Sequence, residues 1–102
     1  MSLHDQFQPH DDVALEIRQP RNYVVILLND DYSTWDFVVE VLMRIFRKAQ
    51  ADAELITSHV HRNGEGMCGV YPLEIAQTKV AQVHQLAKKR GFPLRCTMRE
   101  VE

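Results

Sequence analysis

An apolar run over residues 23–28 stops abruptly at Asn29-Asp30-Asp31, and an apolar stretch of helical period resumes at Phe37. Tyr, Val and Ile in such a run suit a buried strand. Ser33 or Thr34 can cap the helix that follows by accepting from its free N–H groups. The chain must therefore make a strand, a short acidic loop and a helix N-terminus in quick succession. That junction gathers an amide and two carboxylates. Turn chemistry and the positive end of a helix dipole are one sufficient reason for them to be there; a binding or catalytic site is the other.

Phe37, Val38, Val41, Leu42, Ile45 and Phe46 form a broad apolar stripe, which predicts a helix to about residue 47. Arg44, Arg47 and Lys48 stand at its C-terminal end, where cations suit the dipole. A second helix is expected over 51–62, with Ala53, Ile56 and Val60 on one face and Asn63-Gly64 as its left-handed stop. Residues 67–71 read as a strand. Pro72 then opens a third helix reaching residue 90, with Ile75, Ala76, Val80, Val83 and Ala87 inward. Gly91 and Pro93 end it, and 94–98 make a last strand. The order β-α-α-β-α-β predicts an α+β domain whose three helices cover one face of a small sheet. Residues 22–102 form that domain. Residues 1–21, with Pro9 and Pro20 as breakers, read as a flexible N-terminal tail carrying a short apolar patch, Val13-Ala14-Leu15 with Ile17.

A chain of 102 residues supports one core, not two. Its 45% hydrophobic and 25% charged residues are those of an ordinary globule, and a net charge of −2 gives no general pull toward nucleic acid or an anionic membrane. No apolar segment approaches the roughly 20 residues of a membrane span. The N-terminal stretch, with Asp5, Asp11 and Asp12, lacks the basic and apolar regions of a secretory signal. Cys68 and Cys96 do not suggest a disulfide framework, so the reducing cytoplasm is the expected compartment.

Several constellations have the residue types of a chemical site. His59-Val60-His61 with Cys68 and Cys96 resembles a zinc set, but helix positions i and i+2 point about 200° apart and no C-x-x-C pair is present. Asp30 and Asp31 could act as paired acid and base, though no glycine-rich phosphate loop or nucleophile elbow accompanies them. His61 with either cysteine could imitate a nucleophile pair, yet both thiols lie among apolar strand residues, where inert buried cysteines are commoner. Lys88-Lys89-Arg90 ends a helix without interleaved aromatics and suits the dipole better than nucleic acid. Composition and spacing lean toward a binding module over an enzyme.

Leu28-Asn29-Asp30-Asp31-Tyr32 followed by Phe37-Val38-Val39-Glu40-Val41-Leu42 resembles the ClpS family of adaptor proteins. The likeness continues through Val60-His61-Arg62-Asn63-Gly64, Cys68-Gly69-Val70-Tyr71, Glu74-Ile75-Ala76-Gln77-Thr78-Lys79-Val80 and Pro93-Leu94-Arg95-Cys96-Thr97-Met98. It spans residues 23–100 and is specific because the blocks follow in order at family spacing.

The resemblance implies a three-stranded antiparallel sheet with three helices, and an adaptor of the N-end rule pathway with no catalysis of its own. It implies substrates bound through a free α-amino group and a first residue Leu, Phe, Tyr or Trp. These would be delivered to the N-domain of a ClpA- or ClpC-type AAA+ unfoldase feeding the ClpP peptidase. On family likeness, Asn29 and His61 contact the amino group, Asp31 assists through water and Asp30 holds the peptide backbone. Leu28, Trp35, Val38, Val60 and Leu94 would form the hydrophobic pocket, with Ser33 and Thr57 at its wall. Glu74 and Lys79 would meet the unfoldase. No metal, cofactor, nucleic acid or membrane is implied. The sequence departs from the family pattern at Trp35 and Thr57, where Met is usual, at Ser33-Thr34 in place of Thr-Pro, and at Gln77 in place of Glu. Substrate range is therefore open. The alternative reading is a small metal- or carboxylate-dependent hydrolase using Asp30, Asp31 and His61.

Overall fold

The computed structural model describes residues 21–101, so the tail expected over residues 1–21, with its apolar patch, lies outside the described residues except for Arg21. The elements follow the expected order: β1 Asn22–Leu28, α1 Trp35–Arg44, α2 Gln50–Asn63, β2 Glu65–Pro72, α3 Leu73–Arg90 and β3 Arg95–Val101. β1 is the central strand of a three-stranded sheet ordered β2-β1-β3, antiparallel to both neighbours.

The sheet's period of two sorts β1 into two faces. Val25 and Leu27 enter the core, where they join Cys68 of β2 and Cys96 of β3. α3 lies across all three strands, α2 packs on β2, and α1 packs on α2. Val41 and Leu42 of α1, Ala53 and Val60 of α2, and Ala76, Val83 and Ala87 of α3 complete that core. On the other face Ile26 is also buried, between its register partners Met67 and Thr97. The register of β1 with β2 shifts between Val25 and Ile26: Val25 faces Gly69 and Ile26 faces Met67, leaving Cys68 as the extra residue of a bulge. Beside it, a Cβ on Gly69 would run into the Tyr71 ring, so glycine is what lets that ring fold over the strand.

Three expectations need correction. α1 stops at Arg44 and not near residue 47, although Ile45 and Phe46 are buried as the stripe implies. The chain turns there through Arg47 at φ 57, and the Lys48 N–H bonds the Leu42 carbonyl at 3.1 Å. Burial of Ile45 and Phe46 thus persists past the helix because the turn folds them back under it. Ile75 does not face inward but is 47% exposed. Neighbouring helix positions lie about 100° apart, so Ile75 and Ala76 cannot share a narrow seam, and the smaller Ala76 takes the contact with the sheet. The last strand runs on to Val101, beyond the expected residue 98, because Arg99, Glu100 and Val101 are exposed on an edge where apolar alternation no longer marks a strand.

Lys79, half-buried on α3, donates to the Ile45 carbonyl at 2.6 Å and stands 5.6 Å from the centre of the Tyr71 ring. It closes the end of α1 against α3. Glu40 makes the other tie between these helices. Its two oxygens accept from Arg90 Nη1 and Nη2, each at 2.7 Å, and Arg44 Nη1 adds a bond of 2.8 Å. These bonds, Arg90's first, hold the Glu40 carboxyl well below its ordinary 4.5, at about 2. A depressed folded-state pKa contributes stability that is complete above 4.5 and is lost as pH falls toward about 2. Glu40→Gln should therefore lower the urea midpoint at pH 7. The gap between wild type and variant should narrow below pH 4.5 and close near pH 2, as equilibrium unfolding across that range will report.

Candidate functional site

The β1–α1 junction is built largely by Asp30. Its Oδ1 accepts from the Tyr32 N–H at 2.8 Å and the Ser33 N–H at 2.6 Å, closing a tight turn directly after the strand. Thr34, and not Ser33, then caps α1: its Oγ1 accepts from the Phe37 N–H at 3.1 Å. A second anchor reaches across the fold. The Asn29 N–H donates to the Gly64 carbonyl at 2.9 Å. Gly64 ends α2 in the left-handed conformation at φ 89. This bond fixes Asn29, the residue that follows β1, beside the last turn of α2, which carries Val60 and His61.

A cavity of about 320 Å³ opens between these elements, near the lower end of the roughly 300–1,000 Å³ of small-ligand sites. Asn29, Asp30, Asp31 and Ser33 line it from the loop, Trp35 and Val38 from α1, and Thr57, Val60 and His61 from α2. Asn29, Asp31 and His61 are exposed and form a polar rim, whereas Val38, Thr57 and Val60 are buried. Thr57 donates its hydroxyl to the Ala53 carbonyl at 2.8 Å, so that group is spent within its own helix. Trp35 is 46% exposed, and it also borders the neighbouring groove between α1 and α2.

Of the residues singled out from the sequence, the cavity unites Asn29, Asp30, Asp31, Ser33, Trp35, Val38, Thr57, Val60 and His61. Leu28 and Leu94 are not among its lining. Leu28 follows Leu27 on a strand whose side chains alternate, so it falls on the face away from the core. Leu94 is packed into the core itself. Glu74 and Lys79 lie elsewhere, on α3.

The electrostatics of the loop are those of an anion waiting for donors. Burial by itself would push the Asp30 carboxyl up; the Ser33 N–H above all, with the Ser33 side chain and the Tyr32 N–H, outweighs it and holds the pKa below the ordinary 3.8. Asp30 is thus ionised at neutral pH. The Ser33 hydroxyl lies near enough to lend that support but makes no hydrogen bond of standard geometry, so Asp30 Oδ2 and Ser33 Oγ, both shielded from solvent, have no fully formed hydrogen bond within the protein. Unmatched acceptors of this kind are costly in a folded protein. Ordered water or the N–H groups of a ligand would satisfy them.

A larger depression, about 810 Å³, runs between α2 and β2 past Leu55, Ile56 and Met67. It lacks the convergent carboxylates and the buried unpaired acceptors of the smaller cavity. Nor do the cysteines offer a nucleophile. Burial raises both thiols to about 12, Cys68 with a further push from Cys96. Among the described residues no three His, Cys, Asp or Glu side chains come together to hold a metal ion.

Fold and cavity together define a small recognition domain, with a polar rim over an apolar recess and, among the described residues, no assembled nucleophile. Residues 18–97 match the family model for the ATP-dependent Clp protease adaptor protein ClpS. The chain is 52% identical over 101 residues to the ATP-dependent Clp protease adapter protein ClpS of Maricaulis maris, covering 87% of this chain and 93% of that one. It is 48% identical over 101 residues to the ClpS of Clostridium acetobutylicum, covering 99% of this chain and 100% of the relative. The solved structure of Agrobacterium tumefaciens ClpS2 bound to L-phenylalaninamide superimposes with a TM-score of 0.79 at 36% identity, covering 81% of this chain and all of that one. The chain belongs to the ClpS family: it is an adaptor of the Clp protease and not itself an enzyme.

Two outcomes follow from the geometry. A Cβ placed on Gly66 would stand 2.7 Å from Val60 Cγ2, closer than packed carbons allow, so the variant Gly66→Ala must displace the Val60 wall or part α2 from β2. Overpacking of this kind costs about 1–3 kcal/mol, which a shift in the denaturant midpoint will show. The thiols, protonated at pH 8, should resist alkylation in the native protein and react only after unfolding, as mass spectrometry of a labelling time course will report.

Proposed function

We propose that this adaptor captures proteins in the bacterial cytoplasm through a free α-amino group and a large hydrophobic first residue, and delivers them to a ClpA- or ClpC-type AAA+ unfoldase for degradation by ClpP. The observation that carries this reading is the ionised, half-buried Asp30, whose Oδ2 is shielded from solvent without a fully formed hydrogen bond, set between a polar rim and apolar walls. A peptide N-terminus supplies what such a site lacks. Its ammonium brings three donors for Asn29, His61 and Asp31 at the rim. The following backbone N–H suits Asp30. The first side chain fills the recess lined by Val38, Val60, Thr57 and Trp35. The L-phenylalaninamide in the Agrobacterium ClpS2 structure has this chemistry, a free amino group and an aromatic side chain with its carboxyl blocked as an amide.

Magnitudes agree with transient capture. Burying a Leu or Phe side chain contributes about 1.5–3 kcal/mol, and each charge-assisted hydrogen bond adds about 1.5–3 kcal/mol. Together these reach about −8 kcal/mol, the micromolar range, without an extended interface. The unfoldase would meet the start of α3, where Glu74 stands exposed between the exposed apolar residues Leu73 and Ile75. Lys79, held by the Ile45 carbonyl, would support that face from behind.

Peptides beginning with Phe or Leu should bind, and their N-acetylated forms should not, because acetylation removes the charge and two donors while leaving the acceptors buried. His61→Ala should weaken binding of the free peptides by about tenfold or more, the loss of one charge-assisted hydrogen bond. Fluorescence anisotropy with each peptide is the measurement. Equal affinity for free and acetylated peptides would overturn the proposal.

A further inference from the structure

We infer that the Ser33 hydroxyl selects among N-terminal side chains by accepting a hydrogen bond from a polar-tipped aromatic ring, so that Tyr and Trp are favoured over Phe and Leu. This rests on the reading of the cavity as a receptor for N-terminal residues, and adds to it a residue that sets preference. Ser33 lines the cavity, and its Oγ is buried without a hydrogen-bond partner.

Each neighbouring polar group already has a task. Thr34 supplies the cap of α1, which frees Ser33 from that role. The Thr57 hydroxyl is given to the Ala53 carbonyl. Asp30 Oδ1 is occupied by two backbone N–H groups. Asn29, Asp31 and His61 are exposed at the rim, where the amino group would sit. Apart from Asp30 Oδ2, which faces the peptide backbone in this reading, the Ser33 oxygen is the buried polar atom of the lining left uncommitted, and it stands beside a charged carboxylate. That neighbour favours turning the hydroxyl hydrogen toward Asp30, which leaves the oxygen lone pairs to accept. Tyr O–H and Trp Nε1–H are the donors that large aromatic N-terminal residues carry on an otherwise apolar body. Phe and Leu carry none, and leave the oxygen as unpaired as in the empty cavity.

The test uses peptides identical except for a first residue of Phe, Tyr or 4-fluorophenylalanine, the last a near match to Tyr in size without a donor. Wild type, Ser33→Ala and Ser33→Thr are compared by anisotropy. Ser33→Ala keeps the backbone N–H that closes the loop on Asp30, so the turn survives the change. One neutral hydrogen bond predicts Tyr about three- to tenfold tighter than Phe in wild type. The ratio should fall to about one in Ser33→Ala and be retained in Ser33→Thr, while 4-fluorophenylalanine follows Phe throughout. A Tyr-to-Phe ratio unchanged by Ser33→Ala would overturn the inference and leave capture intact, provided acetylated controls still fail to bind. If free and acetylated peptides behave alike, the capture reading falls and this inference falls with it.

Discussion

The site depends on one backbone hydrogen bond, from the Asn29 N–H to the Gly64 carbonyl. It ties the point where β1 leaves the sheet to the point where α2 ends, and both the loop that follows β1 and α2 line the cavity. The bond requires Gly64 to turn through positive φ so that the helix can stop and β2 can start at the next residue. A side chain at that position would be strained in this conformation. Once the two ends are joined, Asn29 and His61 face a shared opening, and the turn locked by Asp30 has no freedom to swing away. Gly66 completes the arrangement by letting β2 approach α2 closely enough to fix Val60 as a wall.

The core and the cavity draw on neighbouring positions of the same helices, so their energetics are linked. Val38 lines the recess and also packs in the core, while Val41 and Leu42, one turn further, belong to the core alone. Val60 serves in both. A rigid, β-branched lining at Val38, Thr57 and Val60 has few rotamers to lose when a ligand enters, which keeps the entropic cost of binding small. The loop contributes two buried oxygens, Asp30 Oδ2 and Ser33 Oγ, that have no fully formed hydrogen bond within the protein.

Most of this was legible in the sequence, and the failures have physical causes. Element order followed from apolar periodicity and from Gly64, Gly91 and Pro72 acting as stops and starts. The strand-loop-helix junction was visible because polar residues interrupt an apolar run so sharply. Alternation along β1 explains why Leu28 does not line the cavity: a shift of one residue exchanges faces, and an all-apolar run such as 23–28 does not announce which face is inward. Ile75 and Ala76 show the same ambiguity on a helix, where the larger residue is not always the buried one. Hydrogen bonds that join residues far apart in the chain left no local trace. Neither the Asn29–Gly64 bond nor the Lys79–Ile45 bond has a spacing signature. Thr34 and Ser33 were equal candidates for the cap, and only the backbone geometry separates them.

Trp35 and Thr57 are best understood as one change in the shape of the recess. Trp35 occupies the first turn of α1, half exposed, where its ring borders both the cavity and the adjoining groove. Thr57 faces it from α2, short and buried, with its hydroxyl directed into its own helix so that it presents an aliphatic surface. A flexible Met at either place would reshape itself around different occupants; an indole and a threonine methyl cannot. A recess lined by an indole and a short threonine is stiffer than one lined by methionines. Stiff pockets discriminate by shape and by the few polar atoms they contain, since they cannot relax to relieve a mismatch. Under the proposed selection those polar atoms are Asp30 Oδ2 and Ser33 Oγ, so loop, indole and threonine would act together.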